Sequence, residues 1–242
     1  IEYNLIHDVC LLSDDAGAIY SGRSWVWYGN VVRYNCIYNV GSENHRPDGI
    51  YLDDAVSGHQ IYGNLLINIP SNSIHVGGGR DNVITNNIIV NPGNNALRFD
   101  DRAREGALEN GWFTHAYIGS GDMWEALYNS PWQSEAWQNA FPEYKNCTDD
   151  ISKSDSPYYI PNPASTFKNN IIINKNMEYG DVYSSVRKFS DISENGFYNV
   201  GKCDEIFVDI GNGDYNIKDI DEIRKDAPDF KEIPLDMIGR VN

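Results

Sequence analysis

Gly49-Ile-Tyr-Leu-Asp-Asp54 is a short apolar strand that ends in two carboxylates, and similar strands recur on both sides of it. The copies are Gly17-Ala-Ile-Tyr-Ser-Gly22, Ser73-Ile-His-Val-Gly-Gly78 and Ala96-Leu-Arg-Phe-Asp-Asp101. Their central residues Ile19, Ile50, Ile74 and Leu97 are 31, 24 and 23 residues apart. Such a period indicates stacked repeats. The pattern predicts parallel strands that pair copy to copy.

A second repeated segment places an asparagine before a run of apolar residues. The copies contain Asn35, Asn64, Asn87 and Asn170, and weaker copies contain Asn4 and Asn195. Amide side chains at a bend tolerate left-handed backbone geometry and hydrogen-bond to equivalent residues in neighbouring repeats. We therefore predict a structural asparagine ladder and two or more strands per repeat.

These two repeats predict an all-β fold, a right-handed parallel β-helix. Residues 1-242 are expected to form one such domain, as the C-terminal part of a longer protein. The repeat is absent from 102-162, where four of the six Trp residues occur. We predict that this insertion is helical and aromatic, on the groove side, with helices near Asp122 to Leu127 and from an N-cap at Ser130.

The net charge of −16 argues against nucleic acid as a partner, because phosphate binding requires basic surfaces. No apolar run is long enough for a membrane span.

The four cysteines show no paired spacing, and Cys36 replaces an apolar residue of the asparagine repeat. Asp100-Asp101 and Asp149-Asp150 are acidic pairs without the spaced oxygen ligands of a calcium loop. We predict a monomer with a carbohydrate partner and neither metal nor cofactor.

Alternation along a strand turns every second side chain to the opposite face. The apolar centres point inward, and the outward side chains of the first repeat form two columns. One column contains Tyr20, Tyr51, His75 and Arg98, and the next contains Gly22, Asp53, Gly77 and Asp100. A groove of aromatic and charged groups suits a sugar, and Trp124 of the insertion would add a flat surface.

Asp15 precedes the strand before Asp53 and would bring a second carboxylate to the same face. Two carboxylates are the minimum that glycoside hydrolysis requires. We predict Asp15 and Asp53 as the catalytic pair, with Asp54 in reserve. Each of these aspartates also suits an Asx turn at a strand end. His75 is expected to contact substrate rather than act as a base, and Arg98 with Asp100 is either a substrate contact or an ion pair.

The order of several motifs resembles the β-helix enzymes of glycoside hydrolase family 141 and their unclassified relatives. The motifs are Asp15-Ala-Gly-Ala-Ile-Tyr20, Arg23-Ser-Trp25, Gly49-Ile-Tyr-Leu-Asp-Asp54, Pro131-Trp132, Phe141-Pro142-Glu-Tyr144 and Gly213-Asp-Tyr215. The resemblance implies a secreted or periplasmic bacterial enzyme that hydrolyses plant-type polysaccharide, of the xylanase or α-L-fucosidase type. It also implies a catalytic pair of aspartates at the positions of Asp15 and of Asp53 or Asp54.

Two other functions remain open on sequence grounds. A calcium-dependent polysaccharide lyase would bind the metal through clustered aspartates and use Arg98 or Arg80 beside a uronate. A non-catalytic glycan-binding protein would use the aromatic column alone, and its aspartates would only cap turns. Chelation and the ultraviolet absorbance of an unsaturated product distinguish the lyase from a hydrolase.

Overall fold

The structure is a computed structural model that describes residues 1–239, and three parallel sheets form its main body. Sheet 1 contains β2 (Gly17–Gly22), β5 (Asp48–Asp53), β8 (Asn72–Gly77) and β11 (Asn95–Asp100). Sheet 2 contains β3 (Asn30–Arg33), β6 (His59–Tyr62), β9 (Val83–Thr85), β12 (Thr166–Lys168) and β14 (Asp191–Ser193). Sheet 3 contains β1 (Leu5–Ile6), β4 (Cys36–Ile37), β7 (Leu65–Ile67), β10 (Ile88–Val90), β13 (Ile171–Asn174) and β15 (Gly196–Asn199). Strands β16 (Phe207–Asp209) and β17 (Asp214–Ile217) form an antiparallel pair.

The predicted all-β right-handed parallel β-helix is wrong. The chain is α/β, with 23% of its residues in helices and 30% in strands, and the three parallel sheets neither curl nor close. Alternating apolar residues report which side chains share one face of a strand. They carry no information on whether adjacent sheets join into a closed coil. The last three residues of the predicted domain 1-242 lie outside the described part of the chain.

The predicted pairing of the first repeat is confirmed. Ile19 pairs with Ile50, Ile50 with Ile74, and Ile74 with Leu97, all in parallel register. These four side chains are buried in the largest apolar cluster, together with residues from sheets 2 and 3. The inward face was therefore assigned correctly, since a one-residue shift of register would have exposed all of it.

The asparagine ladder is also confirmed, with one correction to its backbone. Asn35 donates from its backbone N–H and from Nδ2 to Oδ1 of Asn64, at 3.1 and 2.9 Å, and the other ladder members repeat this pair of bonds. The left-handed conformation belongs to the residue before each asparagine. These residues are Tyr3, Tyr34, Gly63, Asn86, Asn169 and Glu194, with φ from 52° to 66°.

Six α-helices lie among the described residues. They are α1 (Arg102–Glu109), α2 (Asp122–Tyr128), α3 (Glu135–Ala140), α4 (Ser184–Phe189), α5 (Cys203–Ile206) and α6 (Ile220–Ile223). Helix α2 confirms the helix predicted near Asp122. The predicted N-cap at Ser130 is wrong, because Ser134 caps α3 by accepting a hydrogen bond from the Trp137 N–H. Short 3-10 helices cover Thr114–Ala116, Pro142–Asn146, Ile151–Lys153, Val200–Lys202, Ile210–Asn212 and Leu235–Met237.

Helices α1 to α3 and the following loops pack on residues that leave sheet 1. Trp25 and Ala55 are buried in one apolar cluster with Trp124, Leu127 and other side chains of this segment. Trp25 and Trp124 meet edge to face, with ring centroids 4.8 Å apart. Across residues 1–239, the helices are all too short or too polar to cross a bilayer.

Candidate active site

Sheet 1 brings the predicted outward residues into one row. Tyr20 pairs with Tyr51, Tyr51 with His75, and His75 with Arg98. Asp53 lies opposite Gly22 on its neighbouring strand. The predicted alignment of these side chains is therefore present in the structure.

The predicted exposure of this row is wrong for its central members. Tyr51 and His75 are 6% and 5% exposed, whereas Tyr20 is 53% exposed. The imidazole of His75 stacks flat on the Tyr51 ring at a centroid distance of 4.3 Å. Helix α1 follows β11 directly and places Arg102 over Asp53 and Asp100. The outer face of sheet 1 is thus covered there, and Tyr20 remains its open edge.

Arg102 is the centre of a buried network of carboxylates. Its Nη1 lies 2.6 Å from Oδ1 of Asp53 and 3.1 Å from Oδ1 of Asp54. Its Nε and Nη2 bind both oxygens of Asp100, at 2.9 and 2.8 Å. The two-point geometry on Asp100 uses the fork of the guanidinium, which an ammonium group cannot reproduce. One arginine therefore holds three carboxylates together.

Asp53 is held in its ionised form. Burial opposes ionisation, but hydrogen bonds from Tyr51 and Tyr20 and the charge of Arg102 outweigh it and lower the Asp53 pKa. The Tyr20 hydroxyl donates to Oδ2 of Asp53 at 2.8 Å. In turn, burial and the Asp53 hydrogen bond raise the pKa of Tyr20 to about 12. At neutral pH the pair is a carboxylate and a neutral phenol.

His75 lies between the carboxylates of Asp48 and Asp100, an arrangement that the sequence pattern does not predict. Its Nδ1 is 2.7 Å from Oδ2 of Asp48, and its Nε2 is 3.7 Å from Oδ2 of Asp100, too far for a hydrogen bond. Nε2 has no hydrogen-bond partner among the described residues. Burial would lower the His75 pKa, but Asp100 and Asp48 raise it above its ordinary value. The two carboxylates therefore favour the protonated form of His75, and the ring is buried rather than open to a substrate.

Asp54 lies at a strained bend beside Asp53. Its φ is 43° and that of Ala55 is 61°, so two consecutive residues other than glycine are left-handed. Such conformations persist when the surroundings impose them. Arg23 provides part of that support, with its Nη2 and Nε at 2.6 and 3.0 Å from Oδ2 of Asp54.

The Asp14-Asp15 pair separates into two different environments. Asp14 accepts hydrogen bonds from the Arg46 backbone and from the ring of His45 when Nδ1 carries the proton. Asp15 is exposed, has no hydrogen bond or ion pair with the described residues, and acts on Tyr20 through its negative charge. Within the pair, Asp14 is thus already engaged, whereas Asp15 is the carboxylate whose charge raises the Tyr20 pKa.

The remaining predicted substrate contacts are engaged elsewhere. Asp100 is buried against Arg102, and Arg98 is partly exposed, with its Nε 3.9 Å from Oδ2 of Asp181. Trp124 is 6% exposed and donates from Nε1 to the Ala116 carbonyl at 2.8 Å. None of these three side chains lies open beside Asp53.

Sequence reasoning missed Arg102 and Asp48. Arg102 is the first residue after the repeat ends, so the repeat does not predict the contacts of its side chain. Asp48 did offer a signal, because it occupies the strand position of Gly17. A carboxylate at a position that other copies fill with small or amide residues indicates a partner nearby, which here is His75.

The clustered aspartates surround a guanidinium. In the described part of the chain, no group of three or more His, Cys, Asp or Glu side chains has an arrangement that would hold a metal ion. No family model, curated protein or solved structure matches this chain.

Proposed function

We propose that this chain is a glycoside hydrolase with Asp53 as its ionised catalytic carboxylate. The observation that carries the proposal is the 2.8 Å hydrogen bond from the half-exposed Tyr20 to Asp53. The charge of the exposed Asp15 also acts on Tyr20. An aromatic ring of this kind suits the C–H face of a sugar. The ionised carboxylate is kept ready by Arg102 and two phenol groups, as nucleophilic or base catalysis at neutral pH requires.

The two aspartates take complementary roles in this proposal. Asp53 either removes a proton from the attacking water or attacks the anomeric carbon itself. The attack forms a glycosyl ester that water then hydrolyses, with Asp15 taking the proton of that water. Asp15 donates a proton to the glycosidic oxygen, so that the leaving group departs with a hydroxyl group. Asp54 is the reserve carboxylate, oriented by Arg23 and Arg102.

The substrate class rests on the resemblance to glycoside hydrolase family 141. It is plant-type polysaccharide, either xylan or the fucosylated side chains of pectin, and the enzyme would act as a secreted or periplasmic bacterial protein.

The contacts of Arg102 favour the hydrolase over the calcium-dependent lyase, because Asp53, Asp54 and Asp100 all pair with the guanidinium. A carboxylate neutralised by arginine is a weaker ligand for a cation.

A substrate screen with three aspartate variants tests the proposal. Aryl glycosides, xylan oligosaccharides and pectic oligosaccharides are incubated with the parent protein, Asp53→Asn, Asp15→Asn and Asp14→Asn. We expect kcat to fall about a hundredfold or more in the first two variants, since acid–base groups contribute about 10²–10⁴ in rate. Asp14→Asn is the matched control and should retain activity, because Asp14 contacts the 45–46 loop.

Three results would contradict the hydrolase. They are no cleavage of any substrate, equal turnover by Asp53→Asn and the parent, and an unsaturated product that absorbs in the ultraviolet. The last result, together with inhibition by chelator, would establish the lyase. Glycan binding without cleavage would establish the non-catalytic protein.

A further inference from the structure

A second groove lies in the helical segment, close to the candidate active site. It has a volume of about 620 Å³ and is lined by residues of α2, the loop before it and the loop at Asp149. This volume falls within the range of about 300–1,000 Å³ that small-molecule sites occupy. The groove is therefore large enough for a sugar unit.

One wall of the groove is an aromatic pair. Trp124 and Tyr128 are four residues apart on α2, and their rings stack at 6.1 Å with 27° between their planes. Trp124 is buried, whereas Tyr128 is 58% exposed. The buried indole supports the exposed ring, which presents a fixed aromatic surface. Such surfaces bind large, partly apolar ligand faces at a low cost in side-chain entropy.

The other walls of the groove carry polar groups beside Ile118 and two glycines, and the charged side chains among them are all acidic. The lining residues include Asp122, Glu125, Asp149 and Asn129, and no basic side chain. The Tyr128 hydroxyl donates to Oδ2 of Asp149 at 3.0 Å, which fixes the edge of the ring. Carboxylates accept hydrogen bonds from hydroxyl groups and repel anions. This chemistry fits a neutral, hydroxyl-rich ligand.

The segment that contains Arg23 connects this groove with the candidate active site, because Trp25 packs edge to face on Trp124 of the groove at 4.8 Å. Arg23 binds Asp54 through two nitrogens, and the charge of Asp122 acts on the same guanidinium. Asp122 also contacts Nδ1 of His115 at 2.8 Å. A chain of sugar units that reaches Asp53 would thus have a second contact surface nearby.

We propose that this groove is a subsite for a neutral sugar unit of the substrate, with Tyr128 as its stacking platform. The inference rests on the proposed function for its link to Asp53, and it adds that the unit bound here carries no carboxylate. It therefore assigns neutral chains such as xylan or galactan, in preference to polygalacturonate, to this surface.

Binding titrations test the subsite separately from catalysis. Xylohexaose, cellohexaose, galactohexaose and arabinohexaose are the neutral probes, hexagalacturonate is the anionic probe and tetramethylammonium is the cationic probe. Binding to the parent protein is followed by the amide and indole signals in two-dimensional NMR spectra. We expect one neutral probe or more to shift the Trp124 indole signal, and hexagalacturonate to leave it unchanged.

Three tyrosine variants identify the platform. Tyr128→Ala should weaken the affinity for the neutral probe about tenfold, because a stacked ring contributes an energy of that order. Tyr128→Phe keeps the ring and should retain most of the affinity. Tyr158→Ala removes another exposed ring, outside the groove, and is the matched control. The spectra of each variant also report whether it has folded.

The outcomes separate the subsite from the hydrolase. Binding of a neutral probe that depends on Tyr128, without turnover of any substrate, supports the subsite and removes the catalytic proposal. Turnover with the same KM in Tyr128→Ala and the parent overturns the subsite and leaves the hydrolase. Binding of tetramethylammonium alone, or equal affinity for hexagalacturonate, also overturns it.

Discussion

Single side chains decide the electrostatics of sheet 1. Arg102 pairs with Asp53, Asp54 and Asp100 in a region where Asp53 and Asp100 are only 7% and 5% exposed. Burial of an unpaired charge is unfavourable by several kcal/mol. Asp53 and Asp100 can be buried together because one guanidinium contacts both, and the same guanidinium also reaches the partly buried Asp54.

Replacement of Arg102 should be strongly destabilising. We expect Arg102→Met to lower the free energy of unfolding by about 3–5 kcal/mol, because it leaves buried carboxylates without a counter-charge. Urea denaturation at neutral pH measures the change. Arg98→Gln is the control, since Arg98 makes a half-exposed pair with Asp181 whose loss costs at most about 1 kcal/mol. Equal effects of the two substitutions would contradict the central role of Arg102.

The two buried histidines of adjacent sheets should respond to pH in opposite directions. Burial lowers the pKa of His59, whereas Asp100 and Asp48 raise that of His75 against burial. The folded protein binds the His75 proton more tightly than the unfolded chain does. The contribution of His75 to the free energy of unfolding is therefore full below the unfolded pKa of 6.5 and is lost as pH rises through the higher folded pKa. For His59 the folded pKa is the lower one, so the unfolded chain binds the proton at a higher pH than the folded protein does. Stability is therefore lost as pH falls below 6.5.

Urea titrations from about pH 5 to 8 of the parent, His75→Gln and His59→Gln measure these two contributions. The stability advantage of the parent over His75→Gln should shrink above pH 6.5. Its advantage over His59→Gln should shrink below pH 6.5. Differences that do not vary with pH would contradict the assigned protonation states.

Among the larger elements, the asparagine ladder joins the repeats where the chain passes from sheet 2 to sheet 3. Asn64 is fully buried and takes part in seven hydrogen bonds. It donates to the Asn87 side chain and to the Val32 and Tyr62 carbonyls, and it accepts from Asn35 and from the Ile88 N–H. The left-handed residue before each asparagine turns the chain. The ladder asparagine can then satisfy the polar backbone groups that the bend leaves without strand partners.

Loss of one ladder amide should be costly. We expect Asn64→Ala to lower the free energy of unfolding by at least about 2 kcal/mol, because it leaves buried backbone groups without partners. Asn44→Ala, in the exposed loop at 41–47, should change it by less than about 0.5 kcal/mol. Chemical denaturation of both variants measures the difference. Similar values would show that the ladder is not a main source of stability.

In the molecule as a whole, Arg80 joins the helical segment to the sheets. It is 2% exposed, its Nε binds Asp81 at 2.8 Å, and its Nη1 donates to the Tyr159 carbonyl at 3.2 Å. The Tyr28 hydroxyl donates to the same carboxylate, and the Tyr28 ring packs edge to face on Tyr144 at 5.0 Å. A salt bridge and an aromatic cluster thus attach residues 141–160 to sheet 2.

Replacement of Arg80 should loosen this attachment locally. In Arg80→Met we expect backbone amides of residues 141–160 to exchange hydrogen about tenfold faster or more, while those of β5 and β8 stay protected. Hydrogen exchange read by mass spectrometry checks both regions. Lys188→Met removes an exposed pair with Asp155 and is the control that should leave exchange unchanged. Uniformly faster exchange would indicate global destabilisation instead.

The pairing of Ile19, Ile50, Ile74 and Leu97 and the asparagine ladder could be predicted from the sequence. Both depend on local rules, namely the alternation of side chains along a strand and the hydrogen-bonding capacity of an amide at a bend. The same rules brought Tyr20, Asp53 and His75 to one face. They did not predict an α/β chain with open sheets, because the way in which the sheets join follows from long-range packing.

The burial of Tyr51 and His75, the ionised state of Asp53 and the contrast between Asp14 and Asp15 required the three-dimensional arrangement. Each depends on a residue far away in the chain: Arg102 lies 49 residues after Asp53, and Asp48 lies 27 residues before His75. A periodic pattern identifies which residues share a face of a strand. It cannot identify what covers that face, because burial and pKa depend on the nearest charges in space and not on their distance along the chain.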